Sequence, residues 1–196
     1  MKNKNRKTAL VVEGGGMRGI FAAGILHAFG RENFDPFDLY IGVSAGACHL
    51  ASHLAGQNDR NFDITVRYAL SSEFINIRRF LGGGHLMNLD WMWEQTIANY
   101  RLNLKYLFDN LRVKNKEYFV VATSMKTGEA LYLKPDESTL EDHPKISSSL
   151  PVFYRNILKV NGEPATDGGI ADAIPVGRAH QMGANKMSVL RSRPTD

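Results

Sequence analysis

The chain contains almost no cysteine: Cys48 is the only one among its 196 residues. An internal disulfide bond is therefore excluded, and so is a zinc site built from several thiolates. Because proteins of oxidising compartments commonly carry disulfides, this composition makes the cytoplasm the expected location.

Long apolar runs are also missing. No uninterrupted stretch approaches the ~18 residues needed to cross a bilayer, and Glu13 ends the first apolar segment, Thr8–Val12, too early for a secretory signal peptide. Any membrane contact is therefore expected to be peripheral. Four basic residues precede or begin that segment, namely Lys2, Lys4, Arg6 and Lys7. They are predicted to form a solvated tail, with attraction to anionic lipid headgroups as the alternative.

Strand-like and helix-like segments alternate along the chain. Apolar, β-branched runs predict strands over residues 8–12, 37–41, 118–122, 130–133, 157–160 and 187–190. Helices are predicted over 17–29, 45–55, 141–150 and 176–182, and the segment 61–111 is predicted to be helical and rich in loops. This alternation indicates an α/β protein with a parallel sheet and crossover helices. The length suits one domain over residues 1–196. Because the last predicted strand ends six residues before the chain does, we expect this domain to lack a C-terminal portion.

The most informative motif is Gly42-Val-Ser-Ala-Gly46, which lies between a predicted strand and a predicted helix. This is the setting of a nucleophile elbow, in which a serine occupies a strained turn with its hydroxyl exposed. Gly42 and Gly46 would relieve the crowding around Ser44 in such a turn. The pattern is short, and an ordinary glycine-rich turn between strand and helix is the alternative interpretation.

A second glycine-rich motif, Gly14-Gly15-Gly16-Met17-Arg18-Gly19, directly follows the first predicted strand. Its backbone can direct several N–H groups at one point, so these residues are candidates for an oxyanion hole, with Arg18 adding positive charge. The same motif satisfies the G-x-G-x-x-G pattern of dinucleotide-binding proteins, with Asp35 and Asp38 about 20 residues further on. Asp38 lies near the start of the second strand rather than its end, which disfavours this alternative. Ile20 stands where a phosphate-binding P-loop requires lysine.

A nucleophilic serine needs a base, and Asp167 is one candidate. It opens the motif Asp167-Gly168-Gly169, in which two glycines give the backbone unusual freedom. An aspartate that only bonds to its own turn is the alternative. Asp167 followed by His180 would also fit the order serine, acid, histidine of an α/β-hydrolase triad. However, His180 falls in the middle of a predicted helix, and His49 is expected to project away from Ser44.

The three motifs, in this order along the chain, resemble those of the patatin-like phospholipases, and bacterial members in particular. Ser148–Pro151 and Ile174–Val176 supply further matches. The resemblance implies a three-layer α/β/α sandwich with a mainly parallel central sheet. It also implies a Ser–Asp dyad without histidine, in which Ser44 is the nucleophile and Asp167 the base. The loop Gly14–Gly19 would then form the oxyanion hole.

The reaction that the resemblance implies is hydrolysis of fatty-acyl esters in phospholipids or neutral lipids through an acyl-enzyme. It implies no metal and no other cofactor. The implied partner is a lipid substrate, with peripheral membrane contact and no nucleic acid. A triad with His180 and a nucleotide-binding module built on Gly14–Gly19 remain the alternatives.

Both tryptophans of the chain fall in the segment Leu86–Trp93, inside the region 61–111 that carries no matching motif. Core packing of a covering helix is the preferred interpretation of these apolar residues. The wall of an acyl pocket, or an interfacial surface, is the alternative.

Overall fold

The structure is a computed structural model, and it describes residues 7–193. Lys2, Lys4 and Arg6 of the predicted basic tail lie outside these residues. Lys7 begins the first strand, and its ammonium group lies 2.6 Å from the Glu117 carboxylate. Lys7 is therefore part of the sheet and not of a solvated tail.

Seven strands and eight α-helices make up the described part of the chain. The strands are β1 (Lys7–Val12), β2 (Leu39–Val43), β3 (Glu117–Ser124), β4 (Ala130–Leu133), β5 (Leu158–Val160), β6 (Glu163–Asp167) and β7 (Ala184–Leu190). The helices are α1 (Ile20–Arg31), α2 (Ala45–Leu54), α3 (Arg60–Ile64), α4 (Ile77–Leu81), α5 (Leu89–Asn99), α6 (Leu104–Val113), α7 (Asp142–Ser147) and α8 (Val176–Gln181). A π-helical turn, Thr65–Ala69, continues α3.

The strands form one sheet that pairs in the order β5-β6-β3-β2-β1-β7, and β4 pairs with β3 as well. The four consecutive strands β3, β2, β1 and β7 are parallel, with β7 at the edge of the sheet. The remaining pairs, β3 with β4, β3 with β6, and β5 with β6, are antiparallel. The parallel strands follow the predicted alternation with helices, because a parallel pair needs a crossover connection.

Helices cover both faces of the sheet, as the alternation of side chains along β1 shows. Leu10 and Val12 belong to the core that packs against α1, α2 and α6. Ala9 and Val11 belong to the opposite core, which includes Ala179 of α8. Both faces of a parallel sheet are buried in this way, and β2 is accordingly apolar and buried throughout. The predicted three-layer α/β/α sandwich is confirmed.

Several predicted elements have shifted ends, such as the helix predicted over 141–150, which ends at Ser147. Two differences have a clear local cause. The helix predicted over 17–29 begins only at Ile20, because Gly16–Gly19 form a 3-10 turn first. Strand β6 was not predicted, since a proline and charged ends disfavour a strand. Pro164 is tolerated there because its carbonyl still accepts a hydrogen bond from the Met125 N–H at 3.0 Å.

The region 61–111 is helical, as predicted, and forms a small apolar core of its own with Tyr154. An isolated bridge between Ile75 and Met87 is its only β-type pairing within the described residues. Among residues 7–193, no helix has both the length and the apolar composition to cross a bilayer.

Candidate active site

Ser44 occupies a strained turn between β2 and α2. Its φ of 53° and ψ of −127° lie outside the regions that residues with a side chain usually adopt. Gly42 and Gly46 permit the turn because the chain is crowded on both sides of it. A Cβ atom on Gly42 would lie 2.5 Å from the Ala47 Cα, and one on Gly46 would lie 2.4 Å from the Val12 carbonyl oxygen. This is the geometry of a nucleophile elbow.

Strand β3 brings Ser44 and Asp167 together. Val121 of β3 pairs with Val43 of β2 and, on its other edge, with β4. The next residue, Ala122, pairs with β4 and with Asp167 of β6. Because β4 occupies one edge of β3 at both positions, β2 and β6 must share the other edge. Their carboxyl ends therefore meet along β3, with Ser44 following Val43 at the point where Asp167 ends β6.

The Asp167 carboxyl group is buried, with 6% of the residue exposed. It accepts a hydrogen bond from the Gly169 N–H at 2.7 Å, and the Ser44 side chain lies near enough to affect its pKa. Burial raises the pKa of Asp167 above its ordinary value, and the Gly169 hydrogen bond and the Ser44 side chain offset part of the rise. A carboxylate with a raised pKa is a stronger base, as proton transfer from a serine hydroxyl requires.

The glycine-rich loop lies against the elbow. A Cβ atom on Gly14 would lie 2.9 Å from the Ser44 Cβ, so the loop backbone and the serine are in direct contact. Gly16 and Met17 line a cavity together with Ser44. Arg18 is exposed, and its N–H donates to the Gly15 carbonyl oxygen at 3.1 Å. Its amide is therefore engaged within the turn.

Close packing also determines the positions of Gly19 and Gly168. The Gly19 backbone faces the His49 ring, since a Cβ atom on Gly19 would lie 2.6 Å from Nε2. A Cβ atom on Gly168 would lie 2.1 Å from the Val121 carbonyl oxygen, so Gly168 seats the aspartate turn against β3. The motifs thus converge on one edge of the sheet.

Ser147 is a site residue that the sequence analysis missed. Its side chain is fully buried at the end of α7, where the hydroxyl accepts a hydrogen bond from the Ser44 N–H at 2.7 Å. The same hydroxyl donates to the Val121 carbonyl oxygen at 2.5 Å. Ser147 therefore ties the elbow to β3. The residue directly precedes the matched segment Ser148–Pro151, which was the only sequence signal near it.

His180, the alternative base, lies exposed on α8. That helix packs on β7 and β1, at the face of the sheet opposite to α2. Within residues 7–193, the groups that lower the pKa of the Asp167 carboxylate are the Gly169 N–H and the Ser44 side chain, with no histidine among them.

A cavity of about 290 Å³ adjoins Ser44. One wall is α2, which presents Ala45 and Cys48. The opposite wall comes from the region 61–111 and is largely apolar, with Phe74, Leu89, Met92 and Trp93. Trp93 therefore lines a pocket, as the alternative interpretation of this segment had it, whereas Trp91 packs edge-on against Tyr68 as a core residue.

Comparison with known proteins agrees with this geometry. The family model described as Patatin-like phospholipase matches residues 10–180, which include the glycine-rich loop, the elbow and the aspartate turn. The chain belongs to the patatin-like phospholipase family. The predicted family is confirmed.

One protein sequence and one solved structure are similar to this chain over most of its length. The Escherichia coli (strain K12) protein described as "Uncharacterized protein YjjU" is 38% identical over 192 residues, covering 96% of this chain and 53% of that protein. The chain thus spans about half the length of this curated relative. The crystal structure of VipD from Legionella pneumophila matches with a TM-score of 0.50 at 16% identity, covering 86% of this chain and 46% of VipD. The second likeness concerns the fold alone.

The acidic residues of the nucleotide-binding alternative lie elsewhere in this patatin-like fold. Asp38 precedes β2 and accepts hydrogen bonds from the backbone and side chain of Thr8. Asp35 contacts Lys116 and Tyr40. Both are at the amino end of β2, whereas the loop Gly14–Gly19 follows the carboxyl end of β1, so the structure does not bring them together.

Proposed function

We propose that this protein is a lipid acyl hydrolase in which Ser44 is the nucleophile and Asp167 the general base. The observation that carries the proposal is the placement of Ser44 and the buried Asp167 side by side along β3, close enough for the Ser44 side chain to affect the pKa of the carboxyl group, beside an apolar cavity. Membership in the patatin-like phospholipase family supports the substrate class. The proposed enzyme is a serine hydrolase of carboxylic esters.

In the proposed reaction, the Ser44 Oγ attacks the ester carbonyl carbon while its proton passes to Asp167. The tetrahedral oxyanion is stabilised by backbone N–H groups of the loop Gly14–Gly19, each worth roughly 3–4 kcal/mol if it were lost. The bond to the leaving alcohol then breaks, and Asp167 returns the proton to the alcohol oxygen. Water next attacks the acyl-enzyme, giving a proton to Asp167, and Ser44 regains that proton as the fatty acid leaves.

The cavity supports a role in acyl binding. Its apolar wall from the region 61–111 can remove an acyl chain from water at roughly 0.8 kcal/mol per buried CH₂ group. Ser44 lies on the other side of the cavity from this wall, and the ester carbonyl would be held there. We therefore propose a fatty-acyl group as the part of the substrate that the protein recognises.

Peripheral contact with a lipid surface is a further part of the proposal. Phe62, Val66 and Leu70 are each more than half exposed and follow one another at helical spacing along α3 and its π-helical continuation. Ile64, Thr65 and Ala69 of the same segment line the cavity. The segment thus covers the cavity with one face and offers apolar side chains outward. Co-sedimentation with phosphatidylglycerol vesicles should fall in F62Q/L70Q, and an unchanged bound fraction would remove this part.

A labelling experiment tests the nucleophile. A fluorophosphonate should modify the wild-type protein at Ser44, as mapped by mass spectrometry, and should fail to modify Ser44→Ala. Ser72→Ala serves as the matched control because Ser72 is an exposed serine remote from the motifs. Labelling of S44A at the wild-type rate would refute the assignment. The same preparations should hydrolyse p-nitrophenyl esters in parallel with their labelling.

We also propose that residues 7–193 act as one catalytic domain. The loop, the elbow and the aspartate turn all join the same sheet, which supports a single unit. That a C-terminal portion completes this domain stays a prediction, as does the cytoplasmic location.

A further inference from the structure

The cavity that adjoins Ser44 contains a polar cluster, defined here as His49, Arg60 and Asn61, in a wall that is otherwise largely apolar. His49 and Asn61 are each 6% exposed. Asn61 has hydrogen-bond partners in the Ser52 hydroxyl and the His49 carbonyl oxygen. A cavity for a saturated acyl chain alone gains nothing from His49 and Arg60, since burying a ring without hydrogen-bond partners or a cation without a counter-ion is unfavourable. The cluster plays no part in the proposed chemistry at Ser44.

Arg60 carries a charge that the protein does not neutralise. Its Nε donates to the Tyr100 carbonyl oxygen at 2.6 Å, and its Nη1 donates to the Ser52 hydroxyl at 2.9 Å. Within residues 7–193 no carboxylate lies at ion-pair distance from the guanidinium, and the nearby Glu141 pairs with Arg101 at 3.8 Å. Burial lowers the pKa of Arg60 to about 10, so the group stays cationic at neutral pH. Buried cations are normally paired with an anion.

His49 offers a second unsatisfied group at the same place. Neither ring nitrogen has a hydrogen-bond partner of good geometry in the described chain, although both are buried. Burial lowers the pKa of His49 to about 4, against an opposing contribution from Asn61. The ring is therefore neutral at neutral pH, with one nitrogen able to donate a hydrogen bond.

The rise of α2 gives the approximate separation between Arg60 and the nucleophile. Arg60 is bonded to Ser52, which is eight residues beyond Ser44 on α2. At about 1.5 Å per residue, this separation is about 12 Å along the helix axis. An extended chain advances about 1.2 Å per bond, so about ten bonds span it. A phospholipid phosphate is only a few bonds from the ester carbonyl and would not reach.

We propose that Arg60 binds a carboxylate at the far end of the acyl chain, with His49 lining the cavity nearer Ser44, so that preferred substrates are monoesters of medium-chain dicarboxylic acids. The apolar wall would hold the methylene groups between the ester carbonyl at Ser44 and this carboxylate. The inference rests on the proposed function, because it assigns the acyl group of the same site.

The test compares paired p-nitrophenyl esters: the octanedioate and decanedioate monoesters against octanoate and decanoate. The readout is the ratio of kcat/KM for the charged over the neutral ester of equal length, so any loss common to both cancels. In the wild type this ratio should exceed one. In Arg60→Met it should fall about tenfold to a hundredfold, the effect of losing one charged hydrogen bond. Arg60→Lys, which keeps the charge, should retain part of the preference.

A binding measurement separates this inference from the proposed function. Calorimetry with Ser44→Ala should detect monomethyl octanedioate binding more tightly than methyl octanoate, and S44A/R60M should lose the difference. If no p-nitrophenyl ester is hydrolysed but monomethyl octanedioate still binds through Arg60, the proposed function fails while the carboxylate site at Arg60 stands. Equal ratios in wild type and R60M, with equal binding, would overturn the inference. A loss in R60M of discrimination between phosphatidic acid and phosphatidylcholine, with the ester ratio unchanged, would also overturn it and reassign Arg60 to the headgroup.

Discussion

The amino and carboxyl ends of strand β2 each lie beside a buried or half-buried aspartate, Asp35 and Asp167. A basic side chain pairs with the first aspartate and not with the second. Asp35 precedes β2 and contacts the Lys116 ammonium group and the Tyr40 hydroxyl. Burial would raise the pKa of Asp35, but the hydrogen bonds from Lys116 and Tyr40 outweigh it, so the pKa is lowered. Asp167 ends β6 with no basic side chain paired to it in residues 7–193, and burial raises its pKa.

This difference separates stabilisation from reactivity. A carboxylate that meets a buried cation favours the folded state, because its ionised form is stabilised there. A carboxylate buried with only a backbone N–H and a serine hydroxyl is held in a less favourable ionised form, and it therefore accepts a proton more readily. Replacing Asp35 should therefore mainly lower stability, whereas replacing Asp167 should mainly lower activity.

The largest expected effect is on activity at the carboxyl end. Asp167→Asn keeps the size of the side chain but removes the base, and hydrolysis of p-nitrophenyl esters should fall by about 10²–10⁴-fold. Asp172→Asn is the matched control, since Asp172 accepts a hydrogen bond from the Tyr132 hydroxyl at 2.6 Å and has no proposed role in the reaction. Activity of D167N within a few-fold of the wild type would exclude Asp167 as the base.

The next effect is on stability at the amino end. Asp35→Asn leaves the Lys116 ammonium group buried without its counter-ion, with 5% of that side chain exposed. The free energy of unfolding should decrease by about 2–3 kcal/mol, less than for a fully buried pair because Asp35 is partly exposed. Urea unfolding of D35N and of the wild type at neutral pH measures this decrease in the free energy of unfolding. Since the pKa of Asp35 is lowered in the folded state, the wild type should lose this stability as pH falls. If K116M/D35N is no more stable than D35N, the buried charge is not the cause.

A pH profile tests the raised pKa of Asp167 directly. Ester hydrolysis requires the carboxylate form, so kcat/KM should decline as pH falls, with a midpoint above the ordinary range for an aspartate. Measurement on the wild type from acid to neutral pH locates this limb. The profile should be the same in His180→Ala. A limb at the usual pKa of histidine that disappears in H180A would instead support the Ser-Asp-His triad.

The smallest effect is a gain in stability at the carboxyl end. Asp167 has a raised pKa in the folded state, so its stabilising contribution is present at low pH and is lost as pH rises through that pKa. Asp167→Asn removes this penalty and should increase the free energy of unfolding at neutral pH by about 0.5–1 kcal/mol. Thermal unfolding of D167N and wild type at pH 7 and at low pH should show the difference shrinking in acid. A destabilised D167N would contradict it.

The local parts of the site could be predicted from sequence because short-range sterics determine them. The run Gly42–Gly46 specifies a tight turn before a helix, and the three-glycine loop specifies a backbone without side chains near Ser44. The pairing of Ser44 with Asp167 was predicted only through the family resemblance. It depends on the register of β2 and β6 along β3, which joins residues more than 40 positions apart.

Other features depended on tertiary contacts that no local pattern signals. Strand β6 contains a proline that only its neighbours make acceptable. The local sequence does not distinguish Ser147 from other serines at helix ends. Its role arises because α7 packs beside the elbow. The polar cluster is formed by α2 and α3 facing a common cavity, so neither His49 nor Arg60 stands out along the chain.

The alignment of β2 and β6 along one edge of β3 determines where the chain can gain or lose residues. Both strands are aligned against consecutive residues of β3, Val121 and Ala122. Inserting or deleting one residue within β6 would leave the hairpin with β5 able to form, yet it would turn the aspartate to the other face of the sheet. Insertions and deletions should therefore be accepted in the loops outside these two strands and rejected within the strands. A one-residue insertion at Ala165 would then yield a folded but inactive protein.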